Sequence, residues 1–205
     1  MRDLPAGFIA ALQNAPETGL APVFFFHVRP RDRATGAVVE MSFWTGGYDL
    51  PLVMPVPEGP NVARAHIGDV GLKVGAITYG AGLKDRPVSV TMSQIADAAQ
   101  AMLRGFDLRS AYCEIHIGLR HKGALASDPV LMWVGMVDEA PLATPAVGGE
   151  GSITLSVRSE IMTQLQQTNP AKSSDAHQRR RAPEDAFGKY ASTVSSRALK
   201  WYEKK

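Results

Sequence analysis

The sequence predicts a mainly β protein of the α+β class, and three observations predict it. Several runs alternate apolar and polar residues with period 2, the pattern of strands with one dry face. Among 205 residues, 14 prolines and 19 glycines punctuate those runs, which favours a turn-rich sheet protein over a helical bundle. Helical periodicity is confined to two or three short segments. A chain of this length buries a real core and suits one sizeable domain or two small ones sharing sheets.

The centre of the predicted fold is Ala111 to Val137. In AYCEIHIGL, Ala111, Cys113, Ile115 and Ile117 fall on one face. Tyr112, Glu114 and His116 fall on the other, which is read as the wetter side. The run VLMWVGMV is its predicted partner, with Pro129 at its start and Gly135 inside it as a bulge, a bend or a close backbone approach. The intervening RHKGALASDP is too long for a tight hairpin and is expected to project as a polar arm.

The other elements follow in order. Leu4, Phe8, Ile9 and Leu12 recur at helical spacing and stop near Asn14 and Pro16. VFFFHV (23–28) reads as a buried strand and AVVEMSFW as its hairpin partner after a polar turn. WTGGYDL is a turn, and the Pro- and Gly-rich 51–60 is expected to be irregular. Ala63–Ile67 and Val70–Val74 read as short strands, and RPVSVTMS as another. Ser93 is placed as the cap of a helix whose dry side is Ile95, Ala98, Ala99, Met102 and Leu103, ending at Gly105. SITLSVRS turns Ile153, Leu155 and Val157 inward, and Ser159 begins a short helix carrying Ile161, Met162 and Leu165. Residues 167–186 have almost no large apolar side chains and read as a surface arm unable to pack a core. A last periodic element is expected around Ala198, Leu199, Trp201 and Tyr202. The predicted organisation is therefore a β-rich domain over 1–166 and a basic C-terminal arm with a terminal element over 167–205.

Composition bounds the function. Residues 1–150 hold 12 basic and 15 acidic side chains, whereas 151–205 hold 10 and 5, so the net charge of +2 conceals a basic end suited to a polyanion or a negatively charged neighbour. The lone Cys113 excludes an internal disulfide and a cysteine-rich metal or iron–sulfur site, and its place on a dry strand face reads as an inert thiol. No apolar run is long enough to span a lipid bilayer, and Arg2, Asp3 and Pro5 do not make a secretion signal, so the chain is expected to start in the cytoplasm.

No phosphate loop, dinucleotide fingerprint, His-Glu-x-x-His or nucleophile elbow is present. The five histidines, 27, 66, 116, 121 and 177, look scattered. Asp175, His177 and Asp185 form the nearest thing to a metal or acid–base cluster, and a solvated or interface surface is the stronger reading of them. The residues therefore predict no enzyme, no catalytic residue, no metal and no cofactor. The candidate interface residues are Trp44 and Tyr48 in the glycine turn, the Arg179-Arg180-Arg181 run with Asp185, and Trp201 with Tyr202. Trp44 and Tyr48 are read as closing a sheet end or meeting another chain, with sugar stacking as the weaker option.

The succession FFFHV, MSFWTGGYDL, GAITYGAGL before VSVTMSQI, AYCEIHIGL with DPVLMWVGMVDEA, GSITLSVRSEIMTQLQ and SDAHQRRRAPEDAFGKYAS with a terminal LKW resembles the tail-tip and baseplate hub proteins of long-tailed bacteriophages and gene transfer agents, among them phage proteins related to minor tail protein L. The resemblance covers nearly the whole chain. It implies hub-type twisted sheets or a split barrel, two or three short helices and a C-terminal arm. It also implies a structural subunit at the virion tail tip, made in the host cytoplasm, that links the end of the tail tube to the central hub or fibre proteins. The implied partners are the distal tail protein, the hub or central fibre protein and further copies in a trimeric or hexameric ring, with no membrane segment and no nucleic acid. Some members hold an iron–sulfur cluster through several cysteines, which Cys113 alone cannot reproduce. Tyr202 stands after Trp201 where members tend to have glycine. The alternatives are a glycan- or peptidoglycan-directed module of the tail and a basic-tailed nucleic-acid-binding protein.

Overall fold

The structure is a computed structural model of the 205-residue chain. It describes residues 4–15, 19–57, 59–80, 84–143, 151–166, 174–190, 193 and 196. It is a mixed fold dominated by one antiparallel sheet curled into a half-barrel, with a few short helices. The chain divides into two compact units, Met1–Gln166 and Gln167–Lys205.

In the first unit, helix α1 (Ala6–Gln13) precedes strands β1 (Ala21–Asp32), β2 (Met41–Trp44), β3 (Leu50–Met54), β4 (Val62–His66), β5 (Lys73–Val74) and β6 (Val88–Ser93). Helix α2 (Asp97–Gly105) leads into β7 (Phe106–His121), β8 (Ala124–Leu125), β9 (Val130–Glu139), β10 (Leu142–Ala143) and β11 (Ser152–Ser159), and α3 (Glu160–Gln166) closes the unit. The main sheet runs β2-β1-β7-β9-β11-β6-β5, with β8 on β7 and β10 on β11, while β3 and β4 form a separate antiparallel ribbon. Strands far apart in sequence thus meet at its centre. β7, the longest strand, lies between β1 and β9, pairing Phe26 with Ile115 on one side and Ile115 with Trp133 on the other.

Alternation along the strands makes two layers of interior. Phe26, Val28, Phe43, Cys113 and Ile115 point to the concave side with Val90, Met92, Leu155 and Val157, and α2 covers them with Ala99 and Met102. The opposite face of β1 and β2 carries Val23, Phe25 and Trp44, and the β3–β4 ribbon covers it with Met54, Leu50 and Leu52. Phe8 of α1 packs on Leu119 and Val130. Because β7 has protein on both sides, Glu114 and His116 are buried, at 2% and 0% exposure, and the wetter face expected for them is an interior layer.

Several local expectations are corrected for physical reasons. Residues 50–54 form β3 despite Pro51, because a two-stranded ribbon has free edges where a missing N–H is tolerated. RHKGALASDP is no free arm: Lys122 and Gly123 take φ of 45° and 89°, and this left-handed two-residue turn pairs Arg120 with Leu125. Ser93 ends β6, where its N–H donates to the Val70 carbonyl, and the N-cap position falls on Ala96 instead. The helix starts beyond Ala96, leaving Ile95 at 85% exposure. Only Lys73–Val74 of the predicted 70–74 strand pairs, and Met41–Trp44 is the paired part of AVVEMSFW, with Val38 in an isolated bridge to Arg31. Gly135 is a close approach, since a Cβ there would overlap the Arg158 carbonyl oxygen on β11. The extra residue on β9 is instead Met132, between Leu131 opposite His116 and Trp133 opposite Ile115.

The second unit contains helix α4 (Asp175–Arg181), within the span read as a surface arm unable to pack a core. Local interactions suffice for it. Ser174 Oγ accepts the His177 N–H at 3.3 Å, Arg179 pairs with Asp175 at 2.9 Å one turn away, and the acidic and basic residues sit at the helix ends that favour them. The chain then folds back, so that a Cβ at Gly188 would meet Gln178 and the Asp175 backbone. The last predicted element, with Ala198, Leu199, Trp201 and Tyr202, lies outside the described residues.

Candidate functional site: a buried polar layer under a two-stranded flap

Three of the five apparently scattered histidines converge. His27 on β1 stands opposite Glu114 on β7, and Phe25, two residues back on the same face, stands opposite His116. Ser42 on β2 is opposite His27. The β3–β4 ribbon brings Arg64 and His66 onto this layer, because alternation turns them inward with Leu50, Leu52 and Met54 and leaves Pro51, Val53, Ala63 and Ala65 outward.

At the centre, Arg64 forks onto Glu114, Nη1 to Oε2 at 2.6 Å and Nη2 to Oε1 at 3.2 Å. The two side chains are 7% and 3% exposed, which makes this a fully desolvated, bidentate pair tying the flap to the middle of the sheet. His116 Nε2 donates to the Pro55 carbonyl at 2.8 Å and lies 3.7 Å from Glu114 Oε2. His66 Nδ1 donates to the Leu50 carbonyl at 3.3 Å, and its ring meets Phe25 edge to face at 5.0 Å between centroids. His27 Nδ1 and Ser42 Oγ share a hydrogen bond of 2.8 Å. Carbonyls only accept, so His116 is the Nε2–H tautomer and His66 the Nδ1–H tautomer when neutral. Their remaining ring nitrogens, and Nε2 of His27, meet no hydrogen-bond partner among the described residues.

Electrostatics follow from burial. Desolvation, helped by the Arg64 charge, pushes His27 down to about 3. Desolvation likewise takes His66 down to about 4 and lowers His116. Burial would raise Glu114, but the Arg64 hydrogen bonds and charge outweigh it and hold the carboxyl below its usual range. Tyr112, next to this layer, is pushed up by burial and by Glu114. The layer is thus Arg64⁺ with Glu114⁻ and three neutral imidazoles at neutral pH. The layer is buried, and its charged pair ties the flap to the sheet. No group of three or more His, Cys, Asp or Glu among the described residues has metal-holding geometry. Cys113 is fully buried on the other face, and desolvation pushes its thiol up, which keeps it protonated.

The sequence-predicted residues lie elsewhere. Trp44 is interior, at 1% exposure, stacked on Phe25 with centroids 5.8 Å apart, and its Nε1 donates to the Tyr48 carbonyl. Its ring lies against Gly46, where a Cβ would overlap it. Tyr48, 46% exposed, packs on Trp44 edge to face, and the Arg120 guanidinium lies 5.7 Å and 5.6 Å from the two rings. The pair therefore closes the end of the sheet and leaves no open indole face for a sugar. Arg180 and Arg181 are exposed on the last turn of α4, Arg179 is tied to Asp175, and Asp185 Oδ1 accepts the Phe187 N–H at 2.9 Å. Asp175, His177 and Asp185 form no metal cluster. Trp201 and Tyr202 lie outside the described residues.

The polar layer had a signal in the sequence: Glu114 and His116 two apart in one apolar strand, Arg64 and His66 two apart in another, and His27 in a third. Polar residues with strand period on otherwise apolar strands need partners, and an opposite-charge set supplies them. Comparison with known proteins gives no family: no protein-family model matches the chain, and no curated protein matches it.

Proposed function

We propose that the chain is a structural subunit of the distal tail tip or baseplate hub of a long-tailed phage or phage-like particle, linking the end of the tail tube to the central hub or fibre proteins. One observation carries the assembly role: large apolar side chains stand uncovered on several elements. Val53 on the flap is 58% exposed, Ile161 and Leu165 on α3 are 67% and 59%, and Phe187 in the second unit is 90%. The outward flap residues Pro51, Val53, Ala63 and Ala65 also line an apolar concavity of about 490 Å³. Such surfaces are suited to burial against neighbouring subunits. The succession of segments in the sequence directs that assembly role to a tail tip, with hub-type sheets and a homo-oligomeric ring as the finer reading of the half-barrel. The sealed polar layer supports a structural role, because its ionisable groups stabilise the flap and are withheld from any substrate.

Fractionation of particle-producing cells tests this. The protein should co-sediment with intact particles, and Ile161→Asp with Leu165→Asp should leave it folded but move it to the free protein fraction. Recovery of the wild-type protein only in soluble fractions would overturn the proposal.

A further inference from the structure

We propose that the β3–β4 ribbon is an acid-operated flap: proton uptake by the imidazole layer beneath it separates it from the sheet while the concave core stays folded. The inference stands on the geometry of the layer and does not depend on the assembly role.

The first support is a charge balance with nothing in reserve. Among the described residues the one buried carboxylate of the layer is Glu114, and Arg64 already neutralises it through two hydrogen bonds. The groups facing it from each packed element are His27 and Arg29 on β1, Tyr112, Glu114 and His116 on β7, and Arg64 and His66 on β4. β2 contributes the hydroxyl of Ser42, β3 contributes Leu50, Leu52 and Met54, and Glu160 of α3 acts on Tyr112. Arg29 adds positive charge, and its partner is the exposed Glu40 at 3.6 Å. Each proton added to an imidazole therefore makes the layer net positive.

The second support is where those protons would go. With Nε2 of His116 and Nδ1 of His66 bound to carbonyls, the new N–H forms on His116 Nδ1 or His66 Nε2, and neither meets an acceptor among the described residues. The imidazolium of His116 would also compete for Glu114 Oε2 from 3.7 Å, leaving Arg64 buried with only part of its counter-charge.

The third support is how little else holds the ribbon. Among the described residues, its backbone–backbone hydrogen bonds to the sheet region are Trp44 N–H to Ile67 O, Ile67 N–H to Ser42 O and Asp69 N–H to Gly46 O, all beyond the same end of β4. The remaining attachment is side-chain packing and the polar layer itself. Among the described residues, the buried polar or charged side chains are His27, Ser42, His66, Glu114 and His116, all in this layer, and the concave core holds only the Cys113 thiol, so acid has no comparable purchase there. Separation returns the imidazoles to water, where their ordinary value is about 6.5. With His27 held at about 3 and His66 at about 4 when covered, protonation shifts the closed–open equilibrium about thirtyfold toward open per freed imidazole at pH 5. Opening would uncover the apolar patch of Val23, Phe25 and Trp44.

Hydrogen exchange read by mass spectrometry on the full chain at pH 7.5 and 5.0, corrected for intrinsic exchange rate, tests the proposal. Peptides covering 50–54 and 62–66 should lose protection at least tenfold at pH 5.0, while those covering 88–93 and 152–159 keep theirs. His116→Gln, which retains an N–H donor toward Pro55, should move the opening midpoint to lower pH, as should His27→Gln. Protection of the ribbon unchanged at both pH values would overturn the proposal, and so would simultaneous loss of protection in ribbon and core. The wild-type comparison stands even if a variant fails to fold.

Discussion

Replacing Arg64 with Met removes one partner of a buried pair and keeps most of the side-chain volume. Glu114 is then left 3% exposed with only neutral groups, the Tyr112 hydroxyl and the His116 ring 3.7 Å away, beside it on the sheet. Removing one member of such a pair typically costs about 3 to 5 kcal/mol, because the remaining charge stays desolvated. The loss should depend on pH in a defined direction. In the native protein Arg64 holds the Glu114 value below its ordinary 4.5, so the pair contributes stability above that value and loses it as pH falls through the depressed one. Without Arg64, burial dominates and raises Glu114, so protonation relieves the defect and the gap between variant and wild type narrows on acidification. Substituting Glu114 with Leu in the Arg64→Met background should restore most of the loss, since well-packed apolar replacements of buried pairs are often neutral. Urea unfolding of the three proteins at pH 7.5 and 5.5 reads these differences. A loss below about 1 kcal/mol for Arg64→Met, or a double variant no better than the single, would refute the role of the pair as the clasp of the flap.

Four further outcomes follow from the same geometry. His27 and His66 are depressed by burial from 6.5 to about 3 and 4, so each should withdraw about 2 kcal/mol of stability between pH 7.5 and 5, and His27→Gln with His66→Gln should flatten that part of the pH profile. Ile115→Ala should cost about 2 to 5 kcal/mol at a fully buried site, whereas Trp133, only half-buried beside Tyr79, should cost less than a core tryptophan; chemical denaturation compares them. Gly135→Ala should destabilise the fold by about 1 to 3 kcal/mol, because a methyl there meets the Arg158 carbonyl, and an unchanged unfolding midpoint would show that β9 and β11 separate easily. Replacing Arg179, Arg180 and Arg181 together with Ala should leave the first unit's thermal transition in place and reduce incorporation into particles; normal incorporation with loss of a salt-dependent DNA affinity would favour a nucleic-acid role.

The strands of the concave core were legible because their alternation is uninterrupted. Ile153, Leu155 and Val157 announce β11, and Ala111, Cys113 and Ile115 announce β7, while the buried faces follow from period 2 alone. The other layer was obscured by the same rule. A strand covered on both sides can carry Glu114 and His116 inward when a separate segment supplies Arg64, and nothing local to 111–121 encodes a partner 50 residues away. The flap was hidden by Pro51 and its flanking prolines, which read as irregular chain until the ribbon's free edges are known. The Lys122–Gly123 turn was missed because its flanking pair is only two residues long on the β8 side. In the second unit, helix-favouring end effects acted without any apolar stripe, so periodicity gave no sign of α4. Of the candidate interface residues, Trp44 was placed by its aromatic character, and only the structure shows that Phe25, Gly46 and Tyr48 enclose it.

The assembly role is tested most directly by negative-stain imaging of intact purified particles labelled with an antibody raised against this chain. Label confined to the distal end of the tail, and absent from the capsid and tube, is the predicted result. Particles that carry no label while the antibody still detects the protein in the same cells would contradict it.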